Sequence, residues 1–171
     1  MTHIGLLSDT HGYLDPTLQT HFDACDEIWH AGDIGTPDVL DDLMSWGKPL
    51  KIVYGNIDPH ELRLKTIQDL SWRCENVPVF MTHIAGYPGR YNPHVAQMIE
   101  EKKPGLVVCG HSHILKIIYD QQLRHLHVNP GACGMQGLHQ IRTAVRFVID
   151  GEEIKNMQVI ELGKRGHINE N

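Results

Sequence analysis

The stretch Leu6-Leu7-Ser8-Asp9-Thr10-His11-Gly12 ends an apolar run in a carboxylate, a spacer and an imidazole. A β-strand that ends in Asp-x-His presents an oxygen and a nitrogen ligand side by side, which suits a divalent metal ion. The same construction recurs along the chain. Short apolar runs, most of them followed by a glycine, lead to Asp33, Asn56, His83 and the pair His111 and His113. If these strands lie parallel in a sheet, their ligands meet at one edge of it.

Each of these side chains also has an ordinary structural interpretation. Asp9 and Asp33 could cap a helix or a turn, where aspartate is favoured. A lone His83 could pack in the core. The order and number of the set favour metal ligation over these separate explanations.

The remaining members allow the same choice. Asn56 could merely support a turn before Asp58. His111 and His113 would point to opposite faces of a continued strand, whereas a turn after Gly110 would let both side chains converge. We favour the turn.

Length and composition bound the class of protein. A chain of 171 residues predicts a single domain over 1–163, with a flexible tail over 164–171. No apolar stretch is long enough to span a membrane and no signal-type segment opens the chain, so we expect a cytoplasmic protein without a membrane partner. The net charge of −6 argues against nucleic-acid binding, which needs a basic surface. The four cysteines lack CxxC spacing, which argues against a zinc ribbon.

Hydrophobic periodicity predicts an α/β first half and a β-rich second half. Strands are predicted near 4–8, 27–31, 50–56, 70–75, 77–82, 106–109, 115–119, 123–128, 143–149 and 154–162. Helices are predicted over 15–24, from 36 onward, over 59–65 and over 93–102, and the second would turn Val39, Leu40, Leu43, Met44 and Trp46 inward. This order fits an α/β (α+β) fold in which two mixed sheets pack face to face with helices outside.

The ordered set of strand-end ligands resembles a known family. Asp9-x-His11, Gly32-Asp33, Gly55-Asn56, His83 and Gly110-His111-x-His113 are closely similar to the motifs of the calcineurin-like metallophosphoesterase superfamily. The chain length and the turn Asn129-Pro130-Gly131 are most similar to its small single-domain phosphodiesterase branch. The resemblance spans about Ile4 to Ile149 and implies a four-layer αββα sandwich with two divalent metal ions at the edge of the sheets.

The resemblance also implies how the ligands are shared. One metal would take Asp9, His11, Asp33 and His113, and the second would take Asp33, Asn56, His83 and His111, so that Asp33 bridges. A carboxylate has two oxygens and can bridge two cations, and mixed nitrogen and oxygen ligation suits Mn, Fe, Zn or Ni better than Mg or Ca. We expect Mn. Two metals about 3.5–4 Å apart would activate a water for attack on phosphorus, so that no serine or cysteine nucleophile is needed.

One position departs from the pattern of the superfamily. Ile57 follows Asn56 where many members carry a histidine that protonates the leaving oxygen, and the small branch also lacks that histidine. The departure favours substrates whose leaving group needs little protonation. Asp58 could instead orient a ligand by a hydrogen bond.

The candidate catalytic set is Asn56, Asp58, Arg90, which lies in the loop over 84–93 after His83, and His94, which follows that loop. Arg90 could reach the substrate phosphate, helped by Tyr91 stacking, and His94 could donate a proton. The glycines and prolines of this loop could equally form only a shaped turn. Other histidines are expected to be structural: His30 packed in a strand, and His125 and His127 in a β segment.

We therefore expect a metal-dependent phosphoesterase that acts on a small phosphorylated substrate, with phosphodiesters preferred to phosphomonoesters. The alternative from another class is a protein-interaction scaffold, as in the retromer subunit that resembles this branch. A scaffold has no need of a complete ligand set, which favours the enzyme. The sequence leaves homo-oligomerisation open.

Overall fold

Two five-stranded sheets form the frame of the fold, which we describe for residues 1–166 from a computed structural model. The strands are β1 Thr2–Leu7, β2 Glu27–His30, β3 Leu50–Ile52, β4 Asp69–Cys74, β5 Val77–Thr82, β6 Gly86–Tyr87, β7 Arg90–Tyr91, β8 Leu106–Val108, β9 Leu115–Asp120, β10 His125–Pro130, β11 Ile141–Asp150 and β12 Glu153–Lys164. The helices are α1 Thr17–His21, α2 Pro37–Ser45, α3 His60–Lys65 and α4 Pro93–Lys102.

Both sheets are mixed, each with three parallel strands and two further strands that pair antiparallel. The first has the order β12-β11-β1-β2-β3, in which β1, β2 and β3 run parallel and β11 runs antiparallel to β1. The second has the order β4-β5-β8-β10-β9, in which β5, β8 and β10 run parallel. The carboxyl ends of the parallel strands β1, β2, β5 and β8 lead directly into the predicted ligands, as the βαβ pattern of the sequence requires.

The hydrophobic residues divide into three layers of packing. Between the sheets lies a core that includes Ile4, Leu6, Trp29, Met81, Leu106, Val108 and Phe147. A second cluster joins the outer face of the first sheet to α1 and α2, and a third joins the outer face of the second sheet to α4. Successive residues of β1 illustrate the alternation, because Leu6 faces the inner core and Leu7 the outer one. The predicted αββα sandwich is confirmed.

The start of α4 follows from side-chain capping, whereas the N-cap of α1 is Pro16 and has no side-chain cap. Asn92 Oδ1 accepts the Val95 N–H at 2.9 Å, and α4 covers the predicted range. The helix α1 is shorter than the predicted 15–24, although Asp15 Oδ1 does accept the N–H of Thr17 at 2.9 Å.

Other boundaries and orientations differ from the predictions. Met44 is 61% exposed rather than inward, because it lies at the margin of the buried stripe that Val39, Leu40 and Leu43 form on α2. The strand β3 ends at Ile52, so Asn56 lies on a loop.

The carboxyl end of the described chain is part of the first sheet. Lys164 pairs with Ile141 at the end of β12, one residue beyond the predicted domain limit of 163. The Arg165 N–H donates to the Gln140 carbonyl at 2.9 Å. The last part of the predicted tail, 167–171, lies outside the described residues. Across residues 1–166 no helix has the length and apolarity needed to cross a membrane.

Candidate metal centre

Five of the predicted ligands have left-handed backbone conformations. The φ angles are 56° at Asp9, 48° at His11, 54° at Asp33, 68° at His111 and 57° at His113. Positive φ is uncommon for any residue other than glycine and costs about 1–3 kcal/mol at each position. The strand-end loops turn sharply at these residues and direct several side chains into one space. Such a concentration of backbone strain marks a functional site.

The side chains converge in two groups of three. Asp9, His11 and His113 form the first group, and Asp33, His83 and His111 form the second; within each group the ligand atoms lie within 4.8 Å of one another. In the first group His113 Nε2 lies 3.2 Å from Asp9 Oδ1 and 3.2 Å from His11 Nε2. In the second group His83 Nε2 lies 3.2 Å from Asp33 Oδ2.

Asp33 lies between the two groups. Its Oδ2 is 3.2 Å from His83 Nε2 in the second group and 3.6 Å from His11 Nε2 in the first. Its Oδ1 accepts the backbone N–H of Ile57 at 3.1 Å, which fixes the plane of the carboxylate. One oxygen of Asp33 therefore faces both groups, the position expected of a shared ligand.

Two buried atoms at the centre have no hydrogen-bond partner among the described residues, and both suit a metal ion. The donors around Asp9, the Ser8 hydroxyl at 2.6 Å and the His111 N–H at 3.1 Å, both bond to Oδ2, and Oδ1 is left unpaired. His83 Nε2 is unpaired because His83 Nδ1 lies 2.7 Å from the Ala31 carbonyl, to which it donates. A buried unpaired polar atom is costly. A divalent cation would accept both lone pairs, so the residues present fit the group.

The charges of the cluster support each other. Burial alone would lower the pKa of His83, but the Asp33 carboxylate 3.2 Å away and the nearby charge of Asp9 raise that pKa overall. Burial would raise the pKa of Asp33, but the close His83 imidazole and the hydrogen bond from the Ile57 N–H lower it overall. Protons and a metal ion compete for His83 Nε2, so metal affinity is expected to fall as pH falls, as is usual for histidine ligands.

Two of the glycines in the recurring motif are required by close approach. A Cβ at Gly55 would lie 2.0 Å from Asp33 Oδ1, and a Cβ at Gly110 would lie 2.0 Å from Ser8 Oγ and 2.8 Å from Asp9 Oδ2. Any side chain at either position would push a carboxylate of the centre out of place. The glycines before Asn56 and His111 are thus required by packing.

Asp58 holds two ligand-bearing loops together. Its side chain is buried; Oδ1 accepts the Gly35 N–H and Oδ2 accepts the Gly55 N–H, both at 2.7 Å. These loops follow β2 and β3 and carry Asp33 and Asn56. Both oxygens are used by backbone groups, so Asp58 is a positioning residue rather than a group that touches the reacting atoms.

His139 extends the centre and was not singled out in the sequence. Its Nε2 lies 3.0 Å from the Gly134 carbonyl, to which it donates, and its Nδ1 lies 3.2 Å from His113 Nδ1. His139 Nδ1 is therefore the acceptor of the His113 Nδ1–H, which leaves the lone pair of His113 Nε2 free for a metal. The contact joins the β8 loop to the β10–β11 loop, and no local spacing predicts it.

Replacing His139 by alanine is expected to lower metal affinity at the first group about 10- to 100-fold, because His113 loses the partner that orients it. Competition with a chelating indicator measures this affinity. The control is His60→Ala, at an exposed residue of α3, which should bind metal normally. Equal affinities for parent and His139→Ala would contradict the role.

A cleft beside the second group holds further predicted residues, and we name it the Arg63 cleft. It has a volume of about 470 Å³ and is lined by Tyr54, Gly55, Asn56, Arg63, Gln68, Thr82, His83, Ile84, Asn92 and His94. Arg63 Nε donates to the Asp58 carbonyl at 2.8 Å and Nη2 donates to the Asn56 carbonyl at 2.9 Å. His94 Nε2 lies 2.7 Å from Asp69 Oδ2.

The structure places Arg90 and Tyr91 differently from the expectation. Arg90 is exposed on β7 and is not part of the Arg63 cleft, where Arg63 supplies the guanidinium instead. Tyr91 cannot stack over the centre, because its hydroxyl lies between His125 Nε2 at 2.8 Å and His127 Nδ1 at 3.0 Å. The predicted structural role of His125 and His127 agrees with these contacts.

The buried histidine beneath Tyr91 gives a prediction for pH. Burial, with smaller contributions from His125 and Lys116, lowers the pKa of His127 to about 4, against about 6.5 in an unfolded chain. The unfolded chain therefore binds more protons between these values, and stability falls as pH falls from 6.5 to 4, by up to about 1.4 kcal/mol per pH unit. Urea titrations of parent and His127→Gln should show a shallower pH slope in the variant. An unchanged slope, or one changed equally by His60→Gln, would contradict this.

Comparisons with known proteins agree with this geometry. The model of the calcineurin-like phosphoesterase superfamily domain matches residues 2–152. A probable metallophosphoesterase of Methanothermobacter thermautotrophicus is 28% identical over 167 residues, which cover 94% of this chain and 92% of that protein. Its sequence therefore aligns over nearly the whole length of both chains.

Solved structures show the same fold. An archaeal phosphodiesterase superposes with a TM-score of 0.75 at 23% identity, over 92% of this chain and 99% of that one. Vps29 from Entamoeba histolytica, solved with Zn²⁺, superposes with a TM-score of 0.70 at 12% identity, over 94% and 98%. The architecture, the converging donors and the match over residues 2–152 together lead to one assignment. The chain belongs to the calcineurin-like phosphoesterase superfamily.

Proposed function

We propose that this metallophosphoesterase is a phosphodiesterase with two divalent metal ions, one in each group of ligands. The observation that carries the proposal is the position of Asp33, whose Oδ2 faces His83 in one group and His11 in the other. When bound, two such ions lower the pKa of a shared water and neutralise the phosphoryl oxygens. The mixed imidazole and carboxylate donors suit Mn²⁺, Fe, Zn or Ni, and of these we propose Mn²⁺.

The side chains of the Arg63 cleft supply a positive charge that orients the substrate and a proton donor for the leaving group. The Arg63 guanidinium is a fixed positive charge, since two backbone carbonyls hold it in place. It can orient a phosphate ester that enters between Asn56 and His83. His94, held by Asp69, is the group of this cleft that can deliver a proton to a departing oxygen.

Cysteine nucleophiles do not fit this site. All four cysteines are buried, and burial raises the pKa of Cys109 to about 12 and that of Cys74 to about 11. The thiolate is the reactive form of cysteine, so these thiols are inert at neutral pH. Attack by a metal-activated water is consistent with the donors that the chain does offer.

The test is metal analysis combined with two model esters. Protein purified without added metal should contain, or take up on titration with Mn²⁺, about two equivalents of transition metal. It should then hydrolyse bis(4-nitrophenyl) phosphate faster than 4-nitrophenyl phosphate. No metal uptake and no turnover would support the scaffold alternative, and faster hydrolysis of the monoester would make the protein a phosphomonoesterase.

The exposed Ile57 offers a test of leaving-group chemistry. Its side chain is 44% exposed, so histidine can be accommodated there. We expect Ile57→His to raise the rate with strongly basic leaving groups by about 100-fold, and to change nitrophenyl esters much less, because a positioned acid matters most when the departing oxygen is basic. The dependence of rate on leaving-group pKa is the measurement. An unchanged dependence would mean that His94 already supplies the proton, and Ile57→Gln controls for polarity alone.

A further inference from the structure

A second cleft borders the metal centre, and we name it the Lys116 cleft. It has a volume of about 280 Å³, and its lining includes Ile84, Tyr87, His111, Ser112, Lys116 and Asn129. A water molecule takes up about 30 Å³ of the liquid, so the space admits a group of several heavy atoms. His111 belongs both to this cleft and to the second group of ligands.

Lys116 supplies an uncompensated positive charge in this cleft. Its Nζ lies 4.5 Å from the centre of the Tyr87 ring, a cation–π contact that holds the ammonium at the wall. Within residues 1–166 Lys116 has no carboxylate partner, whereas Lys155 pairs with Asp150. In a chain of net charge −6, a lysine left unpaired beside a metal centre is available to an anion.

Ser112 supplies an unused donor at the same place. Its Oγ accepts the Asn129 Nδ2–H at 3.0 Å and the Ile114 N–H at 3.3 Å. Both lone pairs of the hydroxyl are therefore occupied, and in the described part of the chain its O–H has no acceptor. Asn129 is itself held by the Gly110 carbonyl at 2.7 Å and the Gly131 N–H at 3.0 Å. The serine hydroxyl is thus oriented as a hydrogen-bond donor.

The two clefts flank the second group of ligands. His83 lines the Arg63 cleft, His111 lines the Lys116 cleft, and Ile84 belongs to both. The two substituents of a phosphodiester extend from phosphorus in different directions, so a diester held at the second group would place one in each cleft. Only the Lys116 cleft offers an unpaired ammonium and a free hydroxyl donor together.

We propose that the Lys116 cleft binds a second anionic group, a phosphate or a carboxylate, carried on one substituent of the phosphodiester. Lys116 and Ser112 are its specificity-determining residues. The preferred substrates are phosphodiesters that bear a further negative charge a few bonds from the scissile phosphorus. This inference rests on the proposed function for its kinetic consequence, but binding of the anion does not require turnover.

The test uses two pairs of molecules that differ in one phosphate. The substrates are the 4-nitrophenyl ester of thymidine 5′-phosphate and the same ester with a 3′-phosphate; the ligands are thymidine 5′-phosphate and thymidine 3′,5′-bisphosphate. Mn²⁺-loaded protein should favour the second molecule of each pair about ten- to a hundred-fold, in kcat/KM and in calorimetric Kd respectively. In Lys116→Ala both preferences should fall close to one. Ser112→Ala should reduce them by a smaller factor, and Lys116→Arg should retain most of the preference.

Lys102→Ala, at an exposed residue of α4, is the matched control and should keep both preferences. Equal binding of the two nucleotides by the parent protein, or a preference that survives in Lys116→Ala, would overturn the proposal. Absence of turnover with both substrates would overturn the proposed function instead, and the calorimetric comparison would still decide the role of Lys116.

Discussion

Asp33→Asn is expected to remove measurable phosphoesterase activity and to lower metal content at both groups of ligands. Among the six side chains that converge, only Asp33 has one oxygen that lies within 3.6 Å of a nitrogen atom in each group. An amide has one neutral oxygen and cannot neutralise two cations. We expect metal affinity to fall by more than about 100-fold, which exceeds the loss caused by removing a residue that only orients a ligand. Elemental analysis after gel filtration and Mn²⁺ titration give the measurement.

The matched control is Asp41→Asn, which makes the same chemical change at an exposed position of α2. It should keep full metal content and turnover. If Asp33→Asn retains one tightly bound ion, Asp33 serves a single group rather than two. Two bound ions with normal turnover would show that Asp33 does not ligate the metals.

Arg142→Met is expected to destabilise the protein by about 3–5 kcal/mol, since it breaks a buried ion pair and leaves Asp15 without its partner. Arg142 is 1% exposed, and its Nη1 donates to Asp15 Oδ2 at 2.6 Å. Its Nη2 donates to the Leu162 carbonyl, and the guanidinium lies 5.7 Å from the centre of the Tyr13 ring. Chemical denaturation at pH 7 measures the change.

Arg146→Met is the control for this variant. Arg146 lies on the same strand β11, but its hydrogen bonds to Gln158 and to the His21 carbonyl are exposed, and exposed interactions contribute little. We expect a change below about 1 kcal/mol. If Arg142→Met and Arg146→Met have the same free energy of unfolding, the ion pair between Arg142 and Asp15 does not stabilise the protein. The double variant Arg142→Met with Asp15→Leu should recover part of the loss, because no buried charge remains unpaired.

The ligands at the centre could be predicted because they lie at strand ends. Asp9, Asp33, His83 and the His111–His113 pair each follow an apolar run directly, so the parallel order of strands is enough to bring them together. The start of α4 could also be predicted from neighbouring residues, because Asn92 caps the helix that it precedes. Periodicity in the sequence reports such neighbouring relations well.

Side chains that act across loops could not be predicted in this way. His139 meets His113 only because the β10–β11 loop folds back over the β8 loop, and Arg142 finds Asp15 across 127 positions of sequence. The sequence also did not predict which way the loop after His83 turns. The Tyr91 hydroxyl contacts the buried His125 and His127 of β10, and the neighbouring Arg90 lies on the surface.

Each group of ligands draws on both sheets. The first joins Asp9 and His11, which follow β1, to His113, which follows β8; the second joins Asp33 after β2 to His83 after β5 and His111 after β8. A bound ion is therefore a cross-link between the two halves of the sandwich. At a free metal concentration 100 times its Kd, each independent ion adds about 2.7 kcal/mol to the free energy of unfolding. Loss of the proposed ions would therefore lower the free energy of unfolding, and metal-free protein should be cleaved by a protease faster than loaded protein.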